Sequence, residues 1–97
     1  MKKGKKYDKG KLDWSLLPMD SIEKIVDILD FGKSKYGRDN WQALEDFDNR
    51  YYSALMRHLK AWRCGEPIDK ESKRHHLSHA GCNIVFLIWN SIKKKEQ

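Results

Sequence analysis

The sequence is poor in the residues that stabilise exported domains or form redox pairs. Only two of its 97 residues are cysteines, and the spacing of Cys64 and Cys82 matches neither a disulfide framework nor a CxxC pair. Its longest apolar run, at 84–89, is far too short to span a bilayer. No apolar signal region follows the basic start of the chain. We therefore expect a cytoplasmic protein with reduced thiols and no membrane partner.

Several common enzyme and DNA-binding motifs are also missing. The chain contains no Walker loop, GxGxxG fingerprint, nucleophile elbow or zinc-finger spacing. Its formal net charge of +6 invites a nucleic-acid interpretation, because lysine and arginine neutralise phosphates. Much of that charge lies near the termini, at 2–6 and 93–95, where charged runs usually only solvate the chain. A nucleic-acid-binding accessory protein therefore stays an alternative that the charge distribution does not favour.

Apolar residues recur at helical intervals along most of the chain, which predicts an all-α fold. Asp20 and Glu23 have the spacing of a capping box, while Asn49 and Asp69 suit the caps of two later helices. A chain of 97 residues has room for one domain, here a small bundle of three main helices plus a short one. The predicted elements are a partly extended basic arm at 1–18 and a helical core at 19–93, with helices at 21–34, from Asp39 or Asn40 to Leu44, at 50–64 and at 70–93.

The apolar run at 84–89 allows two interpretations. Six consecutive apolar residues, several of them β-branched or aromatic, fit a strand that is covered on both faces. A helix is favoured because apolar residues continue at helical spacing from Leu77 to Ile88. Such a helix is apolar all round, and three short helices can hardly bury it. We therefore expect a homo-oligomer, a dimer or larger, to complete the bundle.

Polar side chains concentrate between residues 57 and 83. His76, His79 and Asn83 are 3 and 4 positions apart, so on a helix they form one stripe beside an apolar row. On the preceding helix, His58 lies at the edge of the apolar stripe, next to Arg57. A polar stripe beside a core indicates either an internal hydrogen-bond ladder or a ligand site.

Three carboxylates, Glu66, Asp69 and Glu71, lie between these two groups of histidines. A compact helical hairpin would collect cations, imidazoles and carboxylates around one turn. This mixture suits a phosphorylated small molecule, since Arg and Lys pair with phosphate, His moves protons and carboxylates hold a divalent cation. A surface network of salt bridges is the alternative.

The string at 75–79 is an HHxxH motif, whose His75 and His79 have the i, i+4 spacing of zinc-binding helices. His76 stands where the catalytic glutamate of an HExxH zinc hydrolase would lie, so that chemistry is not expected. Glu71 together with these histidines could still hold a transition metal. Binding of a metal through histidine is therefore a second possibility at this turn.

Aromatic residues near the first helix offer faces for a nucleobase. Tyr36 and Trp41 could stack on a purine or pyrimidine, and Asn40 could read a base edge. The alternative is that these aromatic rings simply belong to the core.

Two longer segments carry a family resemblance. They are KYGxxNW at 35–41 and RHLxAWxxGExxDxESxxxHLxHAxxN at 57–83. Together with shorter matches, such as Asp8-Lys9-Gly10-Lys11, they extend from residue 8 to about residue 89. The chain resembles the phage dATP/dGTP diphosphohydrolase N-terminal family, which looks related to the MazG-like nucleotide pyrophosphohydrolases. This resemblance implies a helical, oligomeric enzyme that uses Mg²⁺ to cut dNTPs to dNMP and pyrophosphate.

The chain departs from the MazG-like pattern in one important place. MazG-like enzymes carry ExxE on one helix and ExxD on the next, because four carboxylates hold Mg²⁺ against a triphosphate. Here Arg57, His58, His79 and Asn83 lie where those carboxylates are expected. The ExxD at 66–69 contains a proline and is expected to lie in a loop.

We therefore predict a phage-type protein that binds purine (deoxy)nucleotides and hydrolyses dNTP to dNMP and pyrophosphate with Mg²⁺ or Mn²⁺. The alternative is a non-catalytic protein that sequesters a nucleotide or a cyclic nucleotide immune signal against host defence, in the host cytoplasm. The predicted site residues are His58, His76 and His79 for catalysis, Lys35, Tyr36, Asn40, Trp41, Arg57 and Asn83 for substrate binding, and Glu66, Asp69 and Glu71 for the metal.

Overall fold

The computed structural model of the chain describes Gly4, Tyr7 and residues 9–95. Within this part the fold consists of three helices, α1 Met19–Tyr36, α2 Phe47–Arg63 and α3 His76–Lys95. Short 3-10 helices, Trp14–Leu16 and Asn40–Ala43, precede α1 and α2. The predicted all-α fold, with three main helices and a short one, is confirmed. The alternative strand at 84–89 is wrong, because those residues belong to α3.

The beginnings of the first two helices differ from the prediction. Pro18 precedes α1, and Asp20 lies in its first turn and not at its cap, so the predicted capping box is wrong. Helix α2 begins three residues before the predicted start, directly after Asp46, which has a left-handed backbone with φ 51°. Asn49, predicted as the cap, lies inside α2 and donates a hydrogen bond from Nδ2 to Asp46 Oδ1 at 3.0 Å.

The third helix begins at His76 and not at Lys70, so Asp69 does not cap it. The chain between α2 and α3 instead forms a tight loop in which the Asp69 N–H donates to the Arg74 carbonyl at 2.8 Å. Lys73 has φ 63°, a left-handed conformation that an α-helix does not continue through. His75 takes over the capping role, since its Nδ1 accepts the N–H of Leu77 at 3.0 Å. Residues 70–75 therefore form a hydrogen-bonded loop where the sequence predicted the first turns of α3.

Of the predicted arm at 1–18, residues 1–3, 5, 6 and 8 lie outside the described residues. The described part ends in the short helix Trp14–Leu16, whose first turn is capped by the Asp13 carboxylate. Trp14 and Leu16 are largely exposed, so this segment does not contribute to the core.

The core lies between α2 and α3 and is closed by α1. Ile28, Cys82 and Phe86 are buried at its centre. The ring of Trp41 stacks on that of Phe86, with centroids 4.2 Å apart and an interplanar angle of 13°. The Tyr51 hydroxyl donates a hydrogen bond to the Trp41 carbonyl at 2.9 Å. Aromatic packing therefore fastens the chain before α2 to the middle of α3.

Helices α1 and α3 approach closely at Gly81. A Cβ atom at this position would lie 2.9 Å from the Cδ1 atom of Ile25. Such a distance is a steric overlap, so the absent side chain allows the two helices to pack this closely.

One side of α3 remains apolar and accessible in the described chain. Its exposed apolar residues are Ile84, Val85, Ile88 and Ile92. This fits a helix that is apolar all round, while the predicted homo-oligomer stays a prediction. No helix in the described ranges is both long and apolar enough to cross a membrane.

Candidate functional site

The turn between α2 and α3 brings three histidines together. His58 lies on α2, while His76 and His79 occupy the first two turns of α3. The loop between the helices adds Asp69 and Ser72. We call these five residues the histidine cluster.

The loop is shaped so that its polar side chains point at the histidines. Gly65 has φ 95° and follows the end of α2, where a left-handed residue is typical. An antiparallel bridge between Ile68 and His75 then closes the loop, and the His76 N–H donates to the Pro67 carbonyl at 2.7 Å. These bonds hold residues 69–72 against the start of α3.

Short contacts connect the members of the histidine cluster. Nδ1 of His58 lies 2.8 Å from Nδ1 of His76, and the rings of His58 and His79 stack with centroids 4.4 Å apart. The Ser72 hydroxyl lies 2.7 Å from Nε2 of His79. The Ser72 N–H donates to Asp69 Oδ2 at 2.9 Å, and that oxygen is 3.7 Å from His79 Nε2.

The electrostatics of the cluster favour neutral imidazoles beside an ionised carboxylate. Burial, reinforced by the neighbouring His79 and His76, lowers the pKa of His58 to about 4. Burial also lowers the pKa of His79, against the opposing effect of Asp69. Burial alone would raise the pKa of Asp69, but hydrogen bonds from Ser72 and the nearby His79 outweigh it and lower that pKa. At neutral pH, His58 and His79 therefore keep lone pairs that can bind a proton or a metal.

Helix α1 supplies charged and aromatic groups to one side of the cluster. The Phe31 ring meets the His79 ring edge to face at 6.4 Å, and the Arg74 guanidinium lies over Phe31 at 4.7 Å. Arg74 Nε also donates to Asp27 Oδ2 at 2.7 Å. Half-buried Arg74 therefore fastens the loop to α1. Sequence reasoning missed Phe31, Ser72 and Arg74 as members or neighbours of the site, although the Asp69-x-x-Ser72 spacing is a signal for the local turn.

The predicted phosphate-binding cations lie at the edge of the site. Arg57 is exposed on α2, next to His58, and its Nη1 donates to the Ser53 hydroxyl at 2.8 Å. Lys35 forms an ion pair with Glu71, and this bond raises the pKa of the lysine to about 12. Both side chains are accessible to an anion.

The predicted nucleobase residues are not gathered around the histidines. Tyr36 is 62% exposed and lies under the Lys35 ammonium, 5.1 Å from it. Asn40 is exposed at the start of its short helix. Trp41 belongs to the aromatic core. Asn83 is buried and donates from Nδ2 to the His79 carbonyl at 3.0 Å, one turn below the cluster.

The three carboxylates predicted for the metal separate in space. Among the described residues, the group whose ligand atoms come within 4.8 Å of one another is His58, Asp69 and His76. Glu66 lies beside Lys70, with Nζ and Oε1 3.8 Å apart, and Glu71 pairs with Lys35. Asp69 is therefore the predicted metal ligand that the loop brings to the histidines.

Comparison with known proteins places this geometry in a family context. Residues 1–97 match the profile of the family described as dATP/dGTP diphosphohydrolase, N-terminal. A relative named dATP/dGTP diphosphohydrolase, from Salmonella phage PMBT28, is 35% identical over 86 residues. The match covers 89% of this chain and 29% of that protein, so the chain spans less than a third of the relative's length. No solved structure matches the chain.

Proposed function

This chain belongs to the dATP/dGTP diphosphohydrolase N-terminal family, and we propose that it binds a purine deoxynucleoside triphosphate and takes part in its hydrolysis to the monophosphate and pyrophosphate. The observation that carries the proposal is the convergence of three imidazoles and one carboxylate at a turn whose edge carries accessible cations. In this reaction water attacks the α-phosphorus, and the bond from that phosphorus to the oxygen bridging the α- and β-phosphates breaks.

The charges at the edge of the cluster suit a polyphosphate. A triphosphate carries several negative charges, which guanidinium and ammonium groups bind through charge-assisted hydrogen bonds. Arg57 directly precedes His58 on α2, and its exposed guanidinium is the cation of this helix nearest in sequence to the histidines. Lys35 can exchange its ion pair with Glu71 for a phosphate oxygen, since both side chains are partly exposed.

A divalent cation, Mg²⁺ or Mn²⁺, is part of the proposal. When bound, such an ion neutralises phosphate charge and polarises the phosphoryl group. Asp69 is the carboxylate best placed to support it beside the cluster. The low pKa of His58 makes its imidazole a weaker base than an ordinary histidine. Among the other imidazoles, His79 lies 2.7 Å from the Ser72 hydroxyl and is assigned the proton transfer of the proposed reaction.

A second candidate function is the sequestering of an intact nucleotide, linear or cyclic. It is favoured by the composition of the cluster, because within the described ranges a single carboxylate, Asp69, joins the histidines as a potential ligand. MazG-like hydrolysis relies on four carboxylates. The same cations and imidazoles can bind a phosphate without cleaving it.

Nucleotide binding and product formation should be measured together. The chain is mixed with dATP, dGTP, dCTP and cyclic purine nucleotides, with Mg²⁺, with Mn²⁺ or with a chelator. Calorimetry reports binding, and ³¹P NMR distinguishes pyrophosphate from orthophosphate. Pyrophosphate released from dATP or dGTP supports the hydrolase, and an intact bound nucleotide supports sequestration. If no nucleotide binds, both candidates are wrong.

A charge-matched pair of variants locates the phosphate site. Arg57→Gln should weaken triphosphate binding by about tenfold or more, as expected when one charge-assisted contact is lost. Arg50→Gln removes the same charge two turns earlier on the same side of α2 and should leave affinity nearly unchanged. Equal effects of the two variants would indicate non-specific attraction by the basic chain.

A further inference from the structure

His76 is buried to an extent that its hydrogen bonds do not explain. Only 6% of the residue is exposed. Its Nδ1 contacts Nδ1 of His58, while its Nε2 is buried and has no hydrogen-bond partner among the described residues. A neutral imidazole has one N–H and one lone pair, so either tautomer leaves one polar atom of His76 unsatisfied. Buried polar groups with a purely structural role are normally paired.

The surroundings of His76 contain a set of metal-ligating atoms. One ligand atom each from His58, Asp69 and His76 lie within 4.8 Å of one another. Two nitrogen ligands of a tetrahedral zinc ion, each about 2.0–2.1 Å from the metal, are about 3.3 Å apart. The facing Nδ1 atoms are 2.8 Å apart, so small side-chain rotations would make room for an ion bound by one nitrogen of each ring.

We propose that His58, His76 and Asp69 bind one transition-metal ion of the zinc class at the turn between α2 and α3. Two imidazole nitrogens and one carboxylate oxygen form a donor set that Zn²⁺ and Co²⁺ accept, whereas Mg²⁺ prefers oxygen ligands alone. The site differs from the carboxylate set predicted from the sequence. It also differs from the HHxxH pair, because the ring of His75 caps α3.

The three residues are prepared for this role by their positions. They lie on α2, in the loop and at the first position of α3, so the fold itself assembles the donor set. The Ser72 N–H orients the Asp69 carboxylate, and the Ser72 hydroxyl contacts His79. Such outer contacts commonly orient metal ligands.

Three protein ligands leave the fourth position of a tetrahedral ion open, as in catalytic zinc sites. A water molecule or a phosphate oxygen could occupy that position. The contact with phosphate rests on the proposed function, whereas metal binding itself does not. The two ideas can therefore fail separately.

The chelator-stripped chain should be titrated with Co²⁺ and Zn²⁺ in the absence of nucleotide. We expect a single Co²⁺ per chain with the strong visible absorption of a tetrahedral site, its displacement by Zn²⁺, and no displacement by equimolar Mg²⁺. His58→Gln and His76→Gln should each weaken Zn²⁺ binding by more than about 100-fold, beyond the 10- to 100-fold that outer contacts contribute in other metal sites. Metal content after dialysis provides an independent measurement.

Matched controls separate this site from the other donors in the chain. His75→Asn preserves a cap for α3, and Cys64→Ser removes the exposed thiol, so both should keep full Zn²⁺ affinity. Circular dichroism reports whether each variant is folded. If the histidine variants do not fold, Asp69→Asn serves instead, because its amide oxygen can still accept the Ser72 N–H.

The metal proposal is overturned if the native chain binds neither Co²⁺ nor Zn²⁺, or if His58→Gln binds them with native affinity. Zinc binding without nucleotide turnover supports the metal site and contradicts the proposed hydrolase. Turnover with Mg²⁺ by a chain that binds no zinc supports the hydrolase and contradicts the metal site.

Discussion

Lowering the pH tests the environment of His58, because its imidazole is held neutral between two other histidines. Its pKa is lowered to about 4 in the folded chain, from 6.5 in the unfolded chain. Between these values the unfolded chain binds a proton at His58 that the folded chain does not. The free energy of unfolding should therefore fall as the pH is lowered through this range.

The size of the effect follows from the two pKa values. The contribution of neutral His58 to the free energy of unfolding is fully present above the unfolded pKa of 6.5. It is lost progressively as the pH falls towards about 4. Proton linkage gives about 2 kcal/mol lost between neutral pH and roughly pH 5, and about half of that if water reaches the partly exposed ring. For a domain of this size, a loss of 1–2 kcal/mol lowers the melting temperature by about 5–15 °C. The Asp69 carboxylate acts at lower pH, because its contribution is lost only below its unfolded pKa of 3.8.

The assay is urea unfolding of the metal-free chain at a series of pH values. His58→Gln should flatten the curve between roughly pH 7 and pH 5, since it removes the titrating group. Ala54→Gly, on the same helix, leaves the titrating groups in place, so it should lower stability by about 1 kcal/mol and keep the native slope. If His58→Gln shows the same slope as the native chain, the neutral state assigned to half-buried His58 is wrong.

Three further predictions concern packing and thiol reactivity. Phe86→Ala should lower the free energy of unfolding by about 3–5 kcal/mol, as for other buried aromatic residues, whereas Phe86→Leu should lower it less; urea titration measures both. Gly81→Val should lower the free energy of unfolding by disturbing the contact between α1 and α3, and adding Ile25→Ala should recover part of that loss. A double-mutant cycle measures this coupling, and additive effects of the two substitutions would contradict the contact. A thiol reagent at mildly alkaline pH should modify the exposed Cys64 quickly and Cys82 only on unfolding. The reason is that burial raises the pKa of the Cys82 thiol to about 12. Two rapidly reacting thiols per folded chain would contradict this prediction.

Helical periodicity was enough to predict the number and order of the helices. Apolar residues at intervals of three and four decide which face of each helix is buried, and this information is local. The same local rule placed His76, His79 and Asn83 on one side of α3, where the structure has them. The grouping of His58 with them was also predictable, because Gly65 and Pro67 indicate a short turn between two helices. The family was recognisable from the spacing of these same residues.

The starts of the helices could not be predicted as well, because competing local hydrogen bonds decide them. Asp69 has the side chain of a helix cap, yet it accepts the Ser72 N–H inside a loop that a left-handed Lys73 completes. His75 caps α3 in its place. A sequence pattern shows which residues can cap a helix, but the closed loop determines which one does.

The identity of the candidate metal ligands depends on tertiary structure alone. By sequence, Glu66 and Glu71 are as close to Asp69 as any partner, and helical spacing pairs His75 with His79. The folded loop turns the two glutamates towards lysines and brings Asp69 to His58 and His76. Periodicity describes one helix at a time, so it determined which residues lie on a face. The contact between His58 and His76 joins two helices across a turn, and only the packing of those helices decided it.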